Sequence, residues 1–222
     1  LEGKLLWVLE RLGVQAYQQG RCAQSMDYFK QAQQLGGGAS TFHGLALCAY
    51  SEGEFLDAVD FIQHGLVIAP KHKPMRLLYA GVLTELDRYS EALAIYEDIH
   101  KNSVDSNLDR KIKVLRFEAQ NVASLAQLQS EHFRVSFPFD WQPLADQILN
   151  IAEDALYSLL SRLPLREPSR HLKIVLYQPK DFPYEHYGVP HWSGAFFDGR
   201  IHLPLPLKKG WAHTEAYIQQ QL

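Results

Sequence analysis

From Leu6 to Lys101 the apolar positions recur with a helical period, and the whole pattern repeats about every 34 residues. Three stretches align without internal gaps: LGVQAYQQGRCAQSMDYFKQAQQL from Leu12, LALCAYSEGEFLDAVDFIQHGLVI from Leu45 and YAGVLTELDRYSEALAIYEDIHKN from Tyr79. Each predicts two antiparallel helices whose apolar faces cannot be covered alone, so neighbouring pairs must stack. Small residues stand where helix backbones approach: Gly13, Ala46 and Ala80 on the first helices, and Ser25, Ala58 and Ala92 on the second. The spaces between are filled by Leu12, Leu45 and Tyr79, then by Phe29, Ile62 and Tyr96. Gly20 and Gly53 punctuate the turn inside a pair, and Pro70 stops the second repeat. The third repeat departs from the pattern, with Asp87 at the glycine position and Ile99 at a small one.

This pattern, recurring in register, resembles the tetratricopeptide repeat family. The resemblance implies a superhelix over residues 1–104 whose first helices line a concave face. By repeat register the inward positions are Trp7, Glu10, Val14, Tyr17 and Gln18, then Ser40, His43, Leu47, Tyr50 and Ser51, then Leu77, Gly81, Thr84 and Glu85. That surface mixes polar and apolar side chains with aromatic anchors, a composition suited to a peptide groove. It has no Lys and Arg cluster to capture a terminal carboxylate or a phosphate. The expected partner is therefore a protein or peptide.

Past the repeats, residues 105–130 read as a capping and linker segment. The polar run KNSVDSNLDR is a loop, and Leu108 to about Gln129 reads as one helix through Ile112, Leu115, Phe117, Val122, Leu125 and Leu128. From Glu131 the period changes. His132 to Phe137 alternates as a half-buried strand, Pro143 to Leu163 is a long amphipathic helix, and Leu172 to Tyr177 is a second strand. Asp181-Phe182 opens a short turn. Residues 194–197 and 200–203 flank Asp198-Gly199, which suits a tight two-residue hairpin turn. Trp211 to Leu222 is helical and has no stop signal. The fold class expected is mainly α: a superhelix of helix pairs followed by a partial α+β domain over residues 131–222.

The order of elements in that second part, with the motifs FRVSFP and IVLYQPKDFPYEHYGVPHWSGAFFDGRIHLP, resembles the opening portion of the peptidase MA-like (gluzincin) zinc metallopeptidase domain. The resemblance implies that Gly194, Ala195 and Phe196 belong to a sheet edge where an extended substrate pairs with main-chain groups. It also implies a following helix carrying His-Glu-x-x-His, in which two histidines hold zinc and the Glu is the general base. No His in the sequence is followed by Glu, so no catalytic, cofactor-binding or metal residue carries over. The expectation is a binding scaffold, inactive as this chain and without a cofactor. The alternative is the N-terminal portion of a zinc peptidase whose motif follows Leu222, in which case zinc belongs to the parent protein.

Composition narrows the remaining chemistry. The formal charge of −3 argues against a nucleic-acid partner, which favours a basic surface. No run of about 18 apolar residues is present to span a membrane, and Leu1-Glu2-Gly3 carries neither an initiator Met nor a leader pattern. Cys22 and Cys48, on helices of adjacent repeats, read as two buried thiols. His186, His191, His202 and His213 lack the one-turn spacing of a helical metal pair. Phe182, Tyr184, Tyr187 and Trp192 read as loop aromatics pinned to a core. Gly36-Gly37-Gly38 follows a helix and is an inter-repeat turn, not a phosphate loop. A domain cut at its end predicts incompletely covered side chains at Phe196, Phe197, Trp211, Tyr217, Ile218 and Leu222. From that follows either self-association through this end or loose order there.

Overall fold

A computed structural model describes residues 2–101, 106–121, 125–168, 170–178, 182, 195–197 and 199–205. The chain divides into two units, Leu1–Arg116 and Phe117–Leu222. The division falls inside one helix, so its first turns belong to one unit and its last to the other.

Six helices build the repeats: α1 (Glu2–Gln18), α2 (Cys22–Gln34), α3 (Ala39–Glu52), α4 (Phe55–Ile68), α5 (Lys73–Glu85) and α6 (Tyr89–His100). They form three hairpins at the period read from the sequence. Within each hairpin the reversal needs a left-handed residue, since the chain must leave one helix and enter the next within two or three positions. Gly20 and Gly53 supply it with φ of 71° and 80°, and Asp87 with φ of 60°. The break between α4 and α5 is set by Pro70 and by His72, whose ring accepts a hydrogen bond from the Met75 amide at 3.3 Å.

Packing explains the small residues. Phe29 is almost wholly buried, and its ring lies between Gly13 of α1 and Gly44 of α3. A Cβ at Gly13 would sit 2.9 Å from that ring, and one at Gly44 would meet it closer still. Gly65 makes the same allowance for Met75, whose Sδ would stand 2.6 Å from an added Cβ. Ser25 adds a polar tie, donating from Oγ to the Gly13 carbonyl at 2.8 Å. Further along, Ala46, Ala49, Ala58, Val59, Ile62, Met75 and Val82 form one buried cluster. Each large side chain withdrawn there from water contributes about 1.5–3 kcal/mol.

Helix α7 spans Ser106–Asn121. Its first turns are joined to α6 by Arg116–Glu97 at 2.6 Å and His100–Asp109 at 3.2 Å, and Leu108, Ile112 and Leu115 are buried. The helix ends well before Gln129, the end expected for it. Residues Ala126–Gln129 are instead strand β1, paired antiparallel with β2 (Phe133–Phe137). Ala126 and Leu128 lie two apart, so one strand face puts both against the core of the second unit; backbone pairing with β2 overrides the helical spacing.

In the second unit, α8 (Gln142–Arg162) crosses from β2 to β3 (Leu172–Tyr177), and β3 pairs in parallel with both β2 and β5 (Arg200–Pro204). The two-residue β4 (Phe196–Phe197) pairs antiparallel with β5 at the sheet edge, giving the order β1-β2-β3-β5-β4. One face of the sheet meets α8 through Phe133, Val135, Phe137, Ile148, Ala152, Ile174, Leu176 and Leu203, all buried. The hairpin register departs from the expected two-residue turn. Phe197 faces Ile201, so three positions separate the paired residues instead of two. The expected turn at Asp181, hairpin start at Gly194, helix from Trp211 and loop aromatics Tyr184, Tyr187 and Trp192 lie outside the described residues, as do His186, His191 and His213.

Candidate interaction groove

Four elements of the repeats converge on a cavity of about 390 Å³. Val14, Tyr17 and Gln18 come from α1, Phe29 from α2, Ser40, His43, Gly44 and Leu47 from α3, and His72 from the turn before α5. Gly44 leaves α3 without a side chain at its midpoint, which lets Phe29 form the floor. Ser51 donates to the Leu47 carbonyl at 2.9 Å, and the Tyr17 hydroxyl lies 3.1 Å from Ser51 Oγ. With the Ser51 proton committed, Tyr17 is the donor, and its ring is held as a wall of the cavity.

Electrostatically the cavity is neutral: no Lys, Arg, Asp or Glu lines it. The His43 and His72 rings meet edge to face with centroids 5.5 Å apart. Burial, followed by the adjacent His72, pushes the His43 imidazole below its usual value of 6.5. The Met75 amide occupies His72 Nδ1, which fixes the proton of the neutral ring on Nε2. The walls therefore combine apolar area with hydrogen-bonding groups of no fixed charge.

Of the residues expected on the concave face, Val14, Tyr17, Gln18, Ser40, His43 and Leu47 meet in this cavity. Others are placed elsewhere. Trp7 is 60% exposed with the Arg11 guanidinium 5.5 Å over its ring. Glu10 accepts a hydrogen bond from the buried Thr41 at 2.7 Å. Tyr50 packs into the cluster around Ile62, 5.8 Å from the Phe55 ring. In the third repeat, Leu77, Thr84 and Glu85 are half-buried, and Thr84 bonds back to the Ala80 carbonyl. Register counting along first helices missed Phe29, Gly44 and His72. By spacing Phe29 reads as filling between helices, Gly44 has no side chain to count, and His72 lies in a turn.

In the second unit, Ala195 and Phe196 are half-buried at the β4 edge, while Gly194 lies outside the described residues. Phe196 stacks on the buried His202 with centroids 4.5 Å apart, and His202 Nδ1 lies 3.1 Å from the Tyr177 hydroxyl. A polar cluster surrounds Glu153. It accepts from Ser130 Oγ at 2.6 Å and from the His132 amide at 2.8 Å, and it meets His132 Nδ1 at 2.8 Å. Ser130 is bonded to the carboxylate and not to the imidazole, so the trio lacks the nucleophile-to-base contact of a hydrolytic triad. Among the described residues no three His, Cys, Asp or Glu side chains gather to hold a metal ion, and no helix is long and apolar enough to cross a membrane.

The family model of anaphase-promoting complex, cyclosome, subunit 3 matches residues 38–99, the stretch from α3 to α6. No curated protein matches the chain in sequence. Solved structures similar to it include the Arabidopsis OM64 TPR domain, 20% identical with a TM-score of 0.49, covering 52% of this chain and 98% of that one. The second TPR domain of human RPAP3, solved in complex with an HSP70 peptide, is 9% identical with a TM-score of 0.48, covering 52% of this chain and 98% of that one. Yeast Tom70 is 16% identical with a TM-score of 0.48, covering 57% of this chain and 27% of that one.

Proposed function

We propose that the helical repeats are a protein-interaction module that binds an extended peptide segment by seating an apolar side chain in the cavity between the first two repeats. The observation that carries this reading is the cavity itself, with Phe29 as floor and Tyr17, His43 and Leu47 as walls. Its volume lies within the roughly 300–1,000 Å³ usual for ligand pockets. Uncharged polar walls favour a segment whose anchor is apolar and whose neighbours on the chain hydrogen-bond through their backbone. In this reading the chain is a scaffold that recruits, and it carries out no chemistry of its own.

The test is an array of random peptides of about twelve residues, a length that spans two repeats when extended, probed with the purified chain at neutral pH. Binders should share an apolar residue flanked by uncharged positions. Val14→Glu puts a charge at the cavity rim and should weaken them tenfold or more. Leu56→Glu, on the exposed face of α4, should leave them unchanged. Equal effects from the two substitutions, or binders selected only for charge, would overturn the proposal.

A second reading, a peptidase-like role for the second unit in a longer parent protein, is supported by one feature. The short antiparallel β4 lies at the sheet edge beside a parallel β5, where an added extended strand could pair. Zinc content and peptide hydrolysis measured on the parent protein separate the two readings: metal-dependent cleavage favours this one, and its absence leaves the scaffold.

A further inference from the structure

The only two cysteines of the chain lie on α2 and α3 and are both reduced in the structure. Cys22 is the first residue of α2 and is half-exposed, whereas Cys48 of α3 is fully buried. The Cys48 thiol donates to Ser25 Oγ at 3.2 Å, and Ser25 is one turn beyond Cys22 on the same helix face. The Cys48 sulfur is thereby set against the first turn of α2. The α3 groups around Cys22 are Cys48, Ser51 and Glu52, spaced so that one face of α3 presents all three to it. We infer that Cys22 and Cys48 are an oxidisable pair that closes to an intramolecular disulfide joining the first repeat to the second.

The oxidant is a hydroperoxide, and the steps balance. Cys22, the sulfur that solvent reaches, attacks the peroxide as its thiolate and becomes a sulfenic acid, with one alcohol or water released. The Cys48 thiol then attacks the Cys22 sulfur and expels its hydroxyl as water. Two thiols and one hydroperoxide give one disulfide, one alcohol and one water. Burial, the adjacent Cys48 and Glu52 push the Cys22 thiol above its usual value, so the first step accelerates as pH rises, because the thiolate is the nucleophile. Cys48 packs with Phe29 and Leu45, and Phe29 is the cavity floor, so the bridge forms directly behind the proposed groove.

The native chain is treated with hydrogen peroxide in mildly alkaline buffer, and its intact mass is read without reductant. The expected product is a monomer lighter by two hydrogens, restored by dithiothreitol, with Cys22 and Cys48 joined in the peptide map. Cys22→Ser, at a half-exposed position, should fold normally and give no such product. Oxygen added to Cys22 without loss of two hydrogens would overturn the inference. So would cross-links between chains only, or a bridge that forms in urea but not in the folded protein.

Discussion

Asp87 holds a left-handed backbone, φ 60°, while its carboxylate accepts a hydrogen bond from the Tyr89 hydroxyl at 2.7 Å. Two residues on, Tyr89 opens α6 and is buried, so the turn of the third repeat is clamped to the helix that follows it. Gly20 and Gly53 do the same conformational work in the first two repeats without any side chain. Asp tolerates the left-handed region better than most residues, and the Tyr89 contact offsets part of its strain.

Asp87→Ala should therefore destabilise the repeats by about 1–2 kcal/mol, combining left-handed strain with the lost hydrogen bond. Asp87→Gly should be nearly neutral, since relief of strain offsets the lost contact. Urea unfolding followed by circular dichroism measures both. Equal losses in the two variants would show that the conformation of Asp87 is not what matters.

Gly44→Ala places a methyl group into the ring of Phe29. Overpacking of this kind costs about 1–3 kcal/mol. Phe29→Leu in the same chain should recover part of that cost, because the smaller side chain vacates the volume. A double-mutant cycle with no coupling between the two sites would contradict the packing described.

Arg200 Nη1 and Glu118 Oε1 are 2.9 Å apart, with side chains 8% and 2% exposed. Removing the Glu118 carboxylate takes a close counter-charge away from a buried guanidinium. Glu118→Ala should cost about 3–5 kcal/mol. Hydrogen exchange should localise the loss to peptides of β3 and β5, with α2 to α4 protected as before.

Two histidines give the units opposite responses to pH. His43 is pushed below 6.5 by burial and by His72; protons bind the unfolded chain first, so the repeats lose stability as pH falls below 6.5. His132 is raised above 6.5, chiefly by its hydrogen bond to Glu153. Its stabilisation is complete below 6.5 and is lost as pH rises through the raised value. For Glu153, burial acts upward, yet the bonds from Ser130 and His132 hold the carboxyl below 4.5, so its contribution persists above that pH and fades beneath its lowered value. Urea titrations at pH 5.5 and 7.5 should find that His43→Gln removes acid sensitivity from the repeats and His132→Gln removes alkaline sensitivity from the second unit. A His43→Gln chain as acid-sensitive as the parent would refute the first assignment.

The repeat period and the helix pairs follow from local rules, because about every 34 residues the same helical periodicity meets a left-handed turn residue, Gly20, Gly53 or Asp87. Helix α8 was legible because its apolar period runs along its length, and β3 because it is a short apolar run between breakers; β2 showed the alternation of a half-buried strand, yet Ser136 is buried too. Residues 126–129 were not legible, because Leu125 and Leu128 fit a helical spacing and only hydrogen bonding to Phe133–Phe137 makes the segment a strand. The hairpin offset was equally hidden: Asp-Gly signals a tight turn, but which residues of β4 and β5 pair is set by the strands on either side of it. For the groove, helical periodicity identified Val14, Tyr17, Gln18, Ser40, His43 and Leu47 as candidates. Tertiary packing then drew Tyr50 into the core and tied Glu10 to Thr41, while Phe29 and His72 were brought to the cavity. Spacing along a helix fixes which side a residue is on; which neighbour reaches that side depends on how helices distant in sequence pack, and no local pattern encodes it.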